Sequence, residues 1–287
     1  MSAAASIAPT GFAPWRAELD LQYARRGARS VLAQRRHLGP LRVQRDLYPE
    51  GEGICHSILV HPPGGIAGGD SLAIDISLGA GSAALLTTPG AAKWYRSRGP
   101  QASQSLRLQL AEDAMLEWLP QESIVFDGAR ARLESEIHLA TRSVFIGWDV
   151  LCLGRPAAAE QFLRGCWQQR LQLWRNGERL WLEQARLDGD DPLLRTLLTS
   201  PLGWAGYSVC GTLLVAAEQL PDSLLAACRG CALPGGRSGI TRLPGLMVAR
   251  CLGHSAEAVR AWMVQLWQLL RPALCGVPAV LPRIWAT

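Results

Sequence analysis

Along most of the chain apolar and polar residues alternate with a period of two, the pattern of a strand that buries one face. Leu41 and Val43 alternate with Arg42 and Gln44, and Leu72, Ile74, Ile76 and Leu78 with Ala73, Asp75 and Ser77. Leu106, Leu108 and Leu110 alternate with Arg107 and Gln109; Leu133, Ser135, Ile137 and Leu139 alternate with Glu134, Glu136 and His138. Residues 171–174 and 180–182 read as a hairpin across Arg175-Asn176-Gly177-Glu178, because Asn-Gly takes the positive φ angles of a tight turn. Turn signals recur through residue 190 with no long amphipathic helices between strands, which disfavours a doubly wound α/β fold. Helical signals gather late, over residues 190–199 and 222–231. The clearest helix follows Ser255, whose hydroxyl can cap it. Val259, Trp262, Met263, Leu266, Trp267 and Leu270 form its apolar stripe, and Pro272 is expected to end it. That stripe either packs on a sheet or docks to another protein. The predicted fold class is mainly β.

Composition adds a large core: 48% of the residues are apolar and 18% charged, which excludes general disorder. No internal repeat and no low-complexity linker divides the chain, so residues 15–287 read as a single domain. Residues 1–14 are small, polar or Pro/Gly, with neither a basic leader nor an apolar stretch, and are expected to form a loose tail rather than a signal peptide. No apolar run approaches the ~20 residues that cross a bilayer, the longest lying over residues 209–217. Eight cysteines without a secretion signal favour a reducing compartment, the cytoplasm. The net charge of +5 is carried by arginine, Lys93 being the sole lysine. Arg16, Arg25, Arg26, Arg29, Arg35, Arg36, Arg42 and Arg45 crowd the first strands and suit an acidic partner or nucleic acid; their alternation with apolar residues equally fits a solvated sheet face.

Familiar catalytic signatures are missing. A P-loop needs Gly-Lys-Ser/Thr to reach terminal phosphates, and the one lysine follows Ala92. Gly51-Glu52-Gly53 lacks the third glycine of a dinucleotide fingerprint, and Ser238 lacks the following glycine at the position a hydrolase elbow requires. Cys55, His56 and His61 cannot share one ion on a straight strand, since Cys55 and His61 lie about 20 Å apart and His56 points away. Cys228 and Cys231, followed by Cys251 and His254, approximate a zinc-ribbon spacing; buried core thiols are the competing reading.

Three ordered segments carry a family resemblance. They are His61-Pro62-Pro63-Gly64-Gly65-Ile66-Ala67-Gly68-Gly69-Asp70, Thr87-Thr88-Pro89-Gly90-Ala91-Ala92-Lys93-Trp94-Tyr95-Arg96-Ser97, and the run from Leu116-Glu117-Trp118-Leu119-Pro120 through Asp127-Gly128-Ala129. Together with Leu270-Arg271-Pro272 and Pro282-Arg283-Ile284-Trp285 they resemble the urease accessory protein UreD, also called UreH, over nearly the whole chain. The resemblance implies a two-layered, β-helix-like core with short helices toward the C-terminus. It also implies a non-enzymatic scaffold that binds the urease apoprotein, joins UreF and the GTPase UreG, and assists nickel insertion, with UreE as indirect nickel donor. No tightly bound cofactor is expected, only nickel in transit, and neither nucleic acid nor membrane as partner. Cys251 and His254 depart from the aromatic and acidic residues that the resemblance leads one to expect, which weakens the zinc reading.

Each matched residue has a chemical and a structural reading. Gly64, Gly65, Gly68 and Gly69 allow a backbone path closed to other residues, either for a tight connection or for close approach of another chain. Asp70 and Glu122 follow special turns and offer oxygen ligands weak enough to release a metal; turn capping or a local ion pair is the alternative. His61 is a candidate on the same nickel path or a structural histidine. Thr87, Thr88, Lys93, Tyr95 and Arg96 form a strip that either meets a partner or holds its own loop. Two other functions compete: a β-rich metal-dependent hydrolase built on Asp70, Glu122 and Asp127, and a nucleic-acid binder using the N-terminal arginines.

Overall fold

The computed structural model describes residues 14–286, so of the tail expected over residues 1–14 only Pro14 is described. The first strands are β1 (Arg16–Arg26), β2 (Arg29–Leu38), β3 (Arg42–Val43), β4 (Cys55–Val60), β5 (Ser71–Leu78) and β6 (Ala83–Thr87). Next come β7 (Ala92–Trp94), β8 (Ala102–Leu110), β9 (Met115–Leu119), β10 (Ser123–Val125), β11 (Arg130–Leu139) and β12 (Val144–Leu153). The last are β13 (Cys166–Arg175), β14 (Glu178–Asp188), β15 (Val209–Ala216), β16 (Arg237–Leu243) and β17 (Leu246–Gly253). The helices are α1 (Leu193–Thr199), α2 (Asp222–Arg229) and α3 (Ala256–Cys275).

A front sheet runs β14-β13-β11-β8-β5-β1-β2, and a back sheet runs β16-β17-β15-β12-β9-β6-β4-β3, with β10 beside β12 and β7 beside β10. Strands β1, β5, β8, β11 and β13 run parallel in the front sheet and β4, β6, β9 and β12 in the back sheet, whereas β15 is antiparallel to both β12 and β17 and the outermost strands β2, β14, β16 and β3 are antiparallel to their neighbours. Parallel neighbours need a long crossover. Here the crossover is the other sheet: the chain passes from β5 to β6, from β8 to β9 and from β11 to β12, coiling as the β-helix-like resemblance implied. The predicted hairpin joins β13 and β14 through Asn176 and Gly177, with φ of 50° and 82°.

The two sheets differ in pattern because they differ in burial. Front strands alternate since their outer face is wet. The back sheet is covered on both faces, so β12 and β15 are nearly continuous apolar runs, including the long run noted over residues 209–217. One core fills the space between the sheets, and a second lies between the back sheet and α2 and α3. Ser255 caps α3 by accepting from the Ala258 N–H at 3.2 Å, and the predicted stripe packs into this second core. Pro272 does not end the helix, which continues to Cys275 and stops at Gly276 with φ of 69°. The proline removes only a donor to Gln268, an exposed residue whose carbonyl water can satisfy. No helix among the described residues is long and apolar enough to cross a membrane.

A buried charge network fastens α3 to the strands. Arg271, fully buried, donates to both Glu117 oxygens at 2.9 and 3.1 Å and to Glu50 at 2.9 Å. Trp267 Nε1 donates to Glu117 at 2.5 Å, and His56 meets Glu50 at 2.6 Å. Burial pushes the Glu117 carboxyl up while Arg271 and Trp267 oppose it. Removing Glu117 leaves the buried Arg271 Nε and Trp267 Nε1 without acceptors and halves the carboxylate charge around Arg271, so Glu117→Ala is expected to destabilise the chain by about 3–5 kcal/mol in urea unfolding.

Candidate functional site

The three segments that carry the resemblance stack at one corner of the coil. Ile66 N–H donates to the Lys93 carbonyl at 2.7 Å, and Tyr95 N–H returns to the Ile66 carbonyl at 2.9 Å. Phe126 N–H donates to Trp94 at 3.0 Å, Ser97 N–H to Gly128 at 3.0 Å, and Gly128 N–H to Arg164 at 2.9 Å. The glycines are required by this stacking within the chain. A Cβ on Gly68 would lie 2.1 Å from Ser97 Oγ and 2.8 Å from the Pro100 carbonyl, and one on Gly65 would lie 2.2 Å from the Tyr95 ring. Gly64 and Gly69 hold φ of +75° and +95°, the left-handed region.

Asp70 is buried, and both its oxygens are engaged: Oδ1 accepts from Trp15 N–H at 2.9 Å and Oδ2 from Ala67 N–H at 2.8 Å. It caps the glycine turn. Asp127 does the same for the next corner, accepting from the Leu163 and Arg164 amides at 2.9 Å each and from the Arg164 side chain. Burial would raise its pKa, but Arg164 and these amides hold it below the usual carboxylate range. The half-buried Glu122 differs: its backbone carbonyl accepts from Ala92 at 2.8 Å, while its carboxylate has no hydrogen-bond partner among the described residues.

The expected strip divides in two. Thr87 is buried, donating to the Leu119 carbonyl at 2.6 Å and accepting from Trp285 Nε1 at 2.8 Å, which ties the corner to the C-terminal segment. Thr88 accepts from the Gln121 N–H at 2.9 Å. Lys93, Tyr95 and Arg96 are exposed. Tyr95 packs edge-on against Phe126 at 5.2 Å, with Arg155 over the Phe126 ring at 4.3 Å.

Behind the corner a cavity of about 800 Å³ runs between the sheets beneath β5, β8, β11, β13 and β14, a span of roughly 20 Å at the usual strand spacing. His61, Gly64, Thr88 and Lys93 line it at the corner, and Glu183, Gln184 and Arg250 under β14 and β17. Its width comes from inward positions filled by Gln104, Ser135, Gly147, Gln169 and Thr212 in place of large apolar side chains. Of the candidates His61, Asp70 and Glu122, His61 alone lines the cavity. Burial lowers the His61 pKa, with Asp70 opposing, which favours the neutral imidazole that binds metal.

Sequence reading missed the cavity's central carboxylate. Asp149 sits in the wall, accepts from Gln169 Nε2 at 2.9 Å, and has its pKa raised by burial, with Glu183 adding to the rise. No cation pairs with it within 4 Å among the described residues. The available signal was an aspartate interrupting the apolar run of β12. Glu183 is paired with Arg250 at 2.6 Å at the far side.

The zinc-ribbon set is not brought together. Cys228 and Cys251 are buried in the core beneath α3, the Cys231 carbonyl accepts from Trp262 Nε1, and the His254 ring lies against Tyr207 at 4.6 Å. Among the described residues no three His, Cys, Asp or Glu side chains cluster to hold a metal. Strand and helix packing accounts for the thiols.

These contacts separate capping from free carboxylates. Asp70→Ala leaves two backbone amides without acceptors and is expected to cost about 2–3 kcal/mol, and Gly68→Ala about 1–3 kcal/mol by overpacking. Glu122→Gln is expected to change stability by less than about 0.5 kcal/mol. Urea unfolding of the three variants checks this ordering.

The family model described as UreD urease accessory protein matches residues 16–286. Urease accessory protein UreD of Dechloromonas aromatica (strain RCB) is 55% identical over 277 residues, covering 95% of each chain. That of Azoarcus sp. (strain BH72) is 53% identical over 273 residues, covering 95% of this chain and 94% of its own. That of Pseudomonas aeruginosa (strain PAO1) is 52% identical over 286 residues, 99% of each. With the corner motifs, the coiled sheets and these matches agreeing along nearly its whole length, the chain belongs to the UreD family of urease accessory proteins.

Proposed function

We propose that this chain is a non-catalytic scaffold of urease maturation in the cytoplasm, which binds the urease apoprotein together with UreF and the GTPase UreG and lets nickel pass through its interior. UreE is the indirect nickel donor in this reading. The observation that carries it is the cavity between the sheets, with His61 at one side and in its wall Asp149, which has no cation within 4 Å among the described residues. Oxygen and imidazole donors spaced along a passage hold Ni²⁺ weakly enough to hand it on. Asp149, Gln169 and His61 are the donors this reading uses, with Glu122 placed outside the cavity beside the corner. Lys93, Tyr95 and Arg96 form the exposed ridge of the corner, the surface offered to a partner in this reading. Asp70 supports the passage by shaping the turn. A hydrolase built on Asp70 and Asp127 is disfavoured because their oxygens are engaged by backbone amides and Arg164.

Asp149→Asn tests the reading. The raised pKa means that the folded chain disfavours the charged carboxylate. That penalty is present above the folded pKa and relieved as pH falls through it, so a neutral amide is expected to keep or raise the unfolding midpoint at neutral pH. Urease co-expressed with the variant and the other accessory proteins is expected to form the full complex and hold less nickel. Unchanged nickel content with intact assembly would remove Asp149 from the path.

A further inference from the structure

Among the described residues nothing pairs with the outer edge of β2 over its second half. Its first residues are covered, for Ser30 N–H donates to the Glu52 carbonyl at 2.9 Å and Tyr48 Oη donates to the Ser30 carbonyl at 3.0 Å. Beyond them, residues 33–38 are all exposed, although β1 beside them keeps an alternating buried face. Ser30 fixes which amides face outward. Counting on by twos, and allowing for the bulge opposite Gln22 and Tyr23, turns the N–H and C=O groups of Arg35 and His37 away from β1. Those residues oppose Leu21 and Leu19 on β1, so polar groups stand at core-facing positions that no second layer covers among the described residues.

Charge accompanies the open edge. Arg25, Arg26, Arg35 and Arg36 are exposed and form no ion pair within 4 Å among the described residues. Asp20, opposite Arg36, and Asp46, near Arg35, do not close such a pair. Inward-pointing charge on an edge strand is a device against self-association. It is also selective: a second copy would bring arginines against arginines, whereas an acidic strand would meet both unpaired guanidinium groups and unpaired amides.

We propose that residues 33–38 of β2 accept an acidic, extended segment of a partner protein as an additional strand of the front sheet. Backbone groups of Arg35 and His37 supply the ladder, and Arg35 and Arg36 select for carboxylates on the two faces. Six residues give an edge of about 20 Å, enough for one short strand. This surface is separate from the cavity and does not rest on the nickel reading.

The test uses the full-length protein and an end-blocked, fluorescein-labelled decapeptide alternating Glu and Thr. A Lys/Thr decapeptide and a ten-nucleotide oligothymidylate serve as comparisons. The acidic peptide is expected to bind more tightly than either and to slow amide exchange over residues 33–38. Arg35→Ala with Arg36→Ala is expected to weaken it by about tenfold or more. His37→Pro, which keeps both guanidinium groups and removes an outward donor, is expected to abolish the slowed exchange. Equal binding of the lysine peptide, unchanged exchange over residues 33–38, or tighter binding of the oligonucleotide would overturn the proposal.

Discussion

Backbone lies directly on backbone where successive coils turn the glycine corner, and the rest of the molecule is arranged around that contact. The Ile66, Lys93 and Tyr95 hydrogen bonds join the coils, Ser97 and the Pro100 carbonyl leave no room for a side chain at Gly68, and Asp70 and Asp127 satisfy amides that the tight turns would otherwise strand. With the corners fixed, β5, β8, β11 and β13 fall into register and their inward residues form layers. Where a layer holds Ser135, Gln104 or Gln169 in place of leucine, the sheets stay apart and the cavity remains. The corner therefore sets the spacing of the sheets, and its own carboxylates Asp70 and Asp127 are consumed in holding it.

Charge follows the same division between holding and passing. Glu117, Glu50 and Arg271 are buried together, and each oxygen or nitrogen that matters finds a partner. That cluster fixes α3 against the back sheet, and Trp285 bonded to Thr87 brings the C-terminal segment to the corner. Asp149 stands half-buried in the cavity wall and, among the described residues, has no cation within 4 Å and accepts only from Gln169. A structural carboxylate in that position would be poorly supported, whereas one that meets a cation only in passing has reason to be left unpaired.

Much of this was legible in the sequence. Period-two alternation marked the front strands, Asn176-Gly177 the hairpin, and Ser255 with its tryptophan stripe the last helix. The stacking of the three motifs was not, because the coils are unequal: Ser71 pairs with Ser103, Ser103 with Arg132 and Arg132 with Gln168, steps of 32, 29 and 36 residues. Unequal steps leave no fixed period to detect. Spacing alone also misled for Cys228, Cys231, Cys251 and His254, since it carries no information on which sheet face or helix buries each thiol. Asp70 looked like Glu122 in sequence, each following a special turn; only the amides around Asp70 separate them. Pro272 failed as a helix stop because its missing donor falls on the wet side.

The most direct measurement is the nickel content of urease matured with a Ser135→Trp chain. The indole fills the cavity from β11 while the corner, the ridge and α3 are untouched. With the complex of urease and accessory proteins intact by size-exclusion chromatography, the account predicts urease that is assembled but depleted of nickel. Full nickel loading from that complex would contradict passage through the interior.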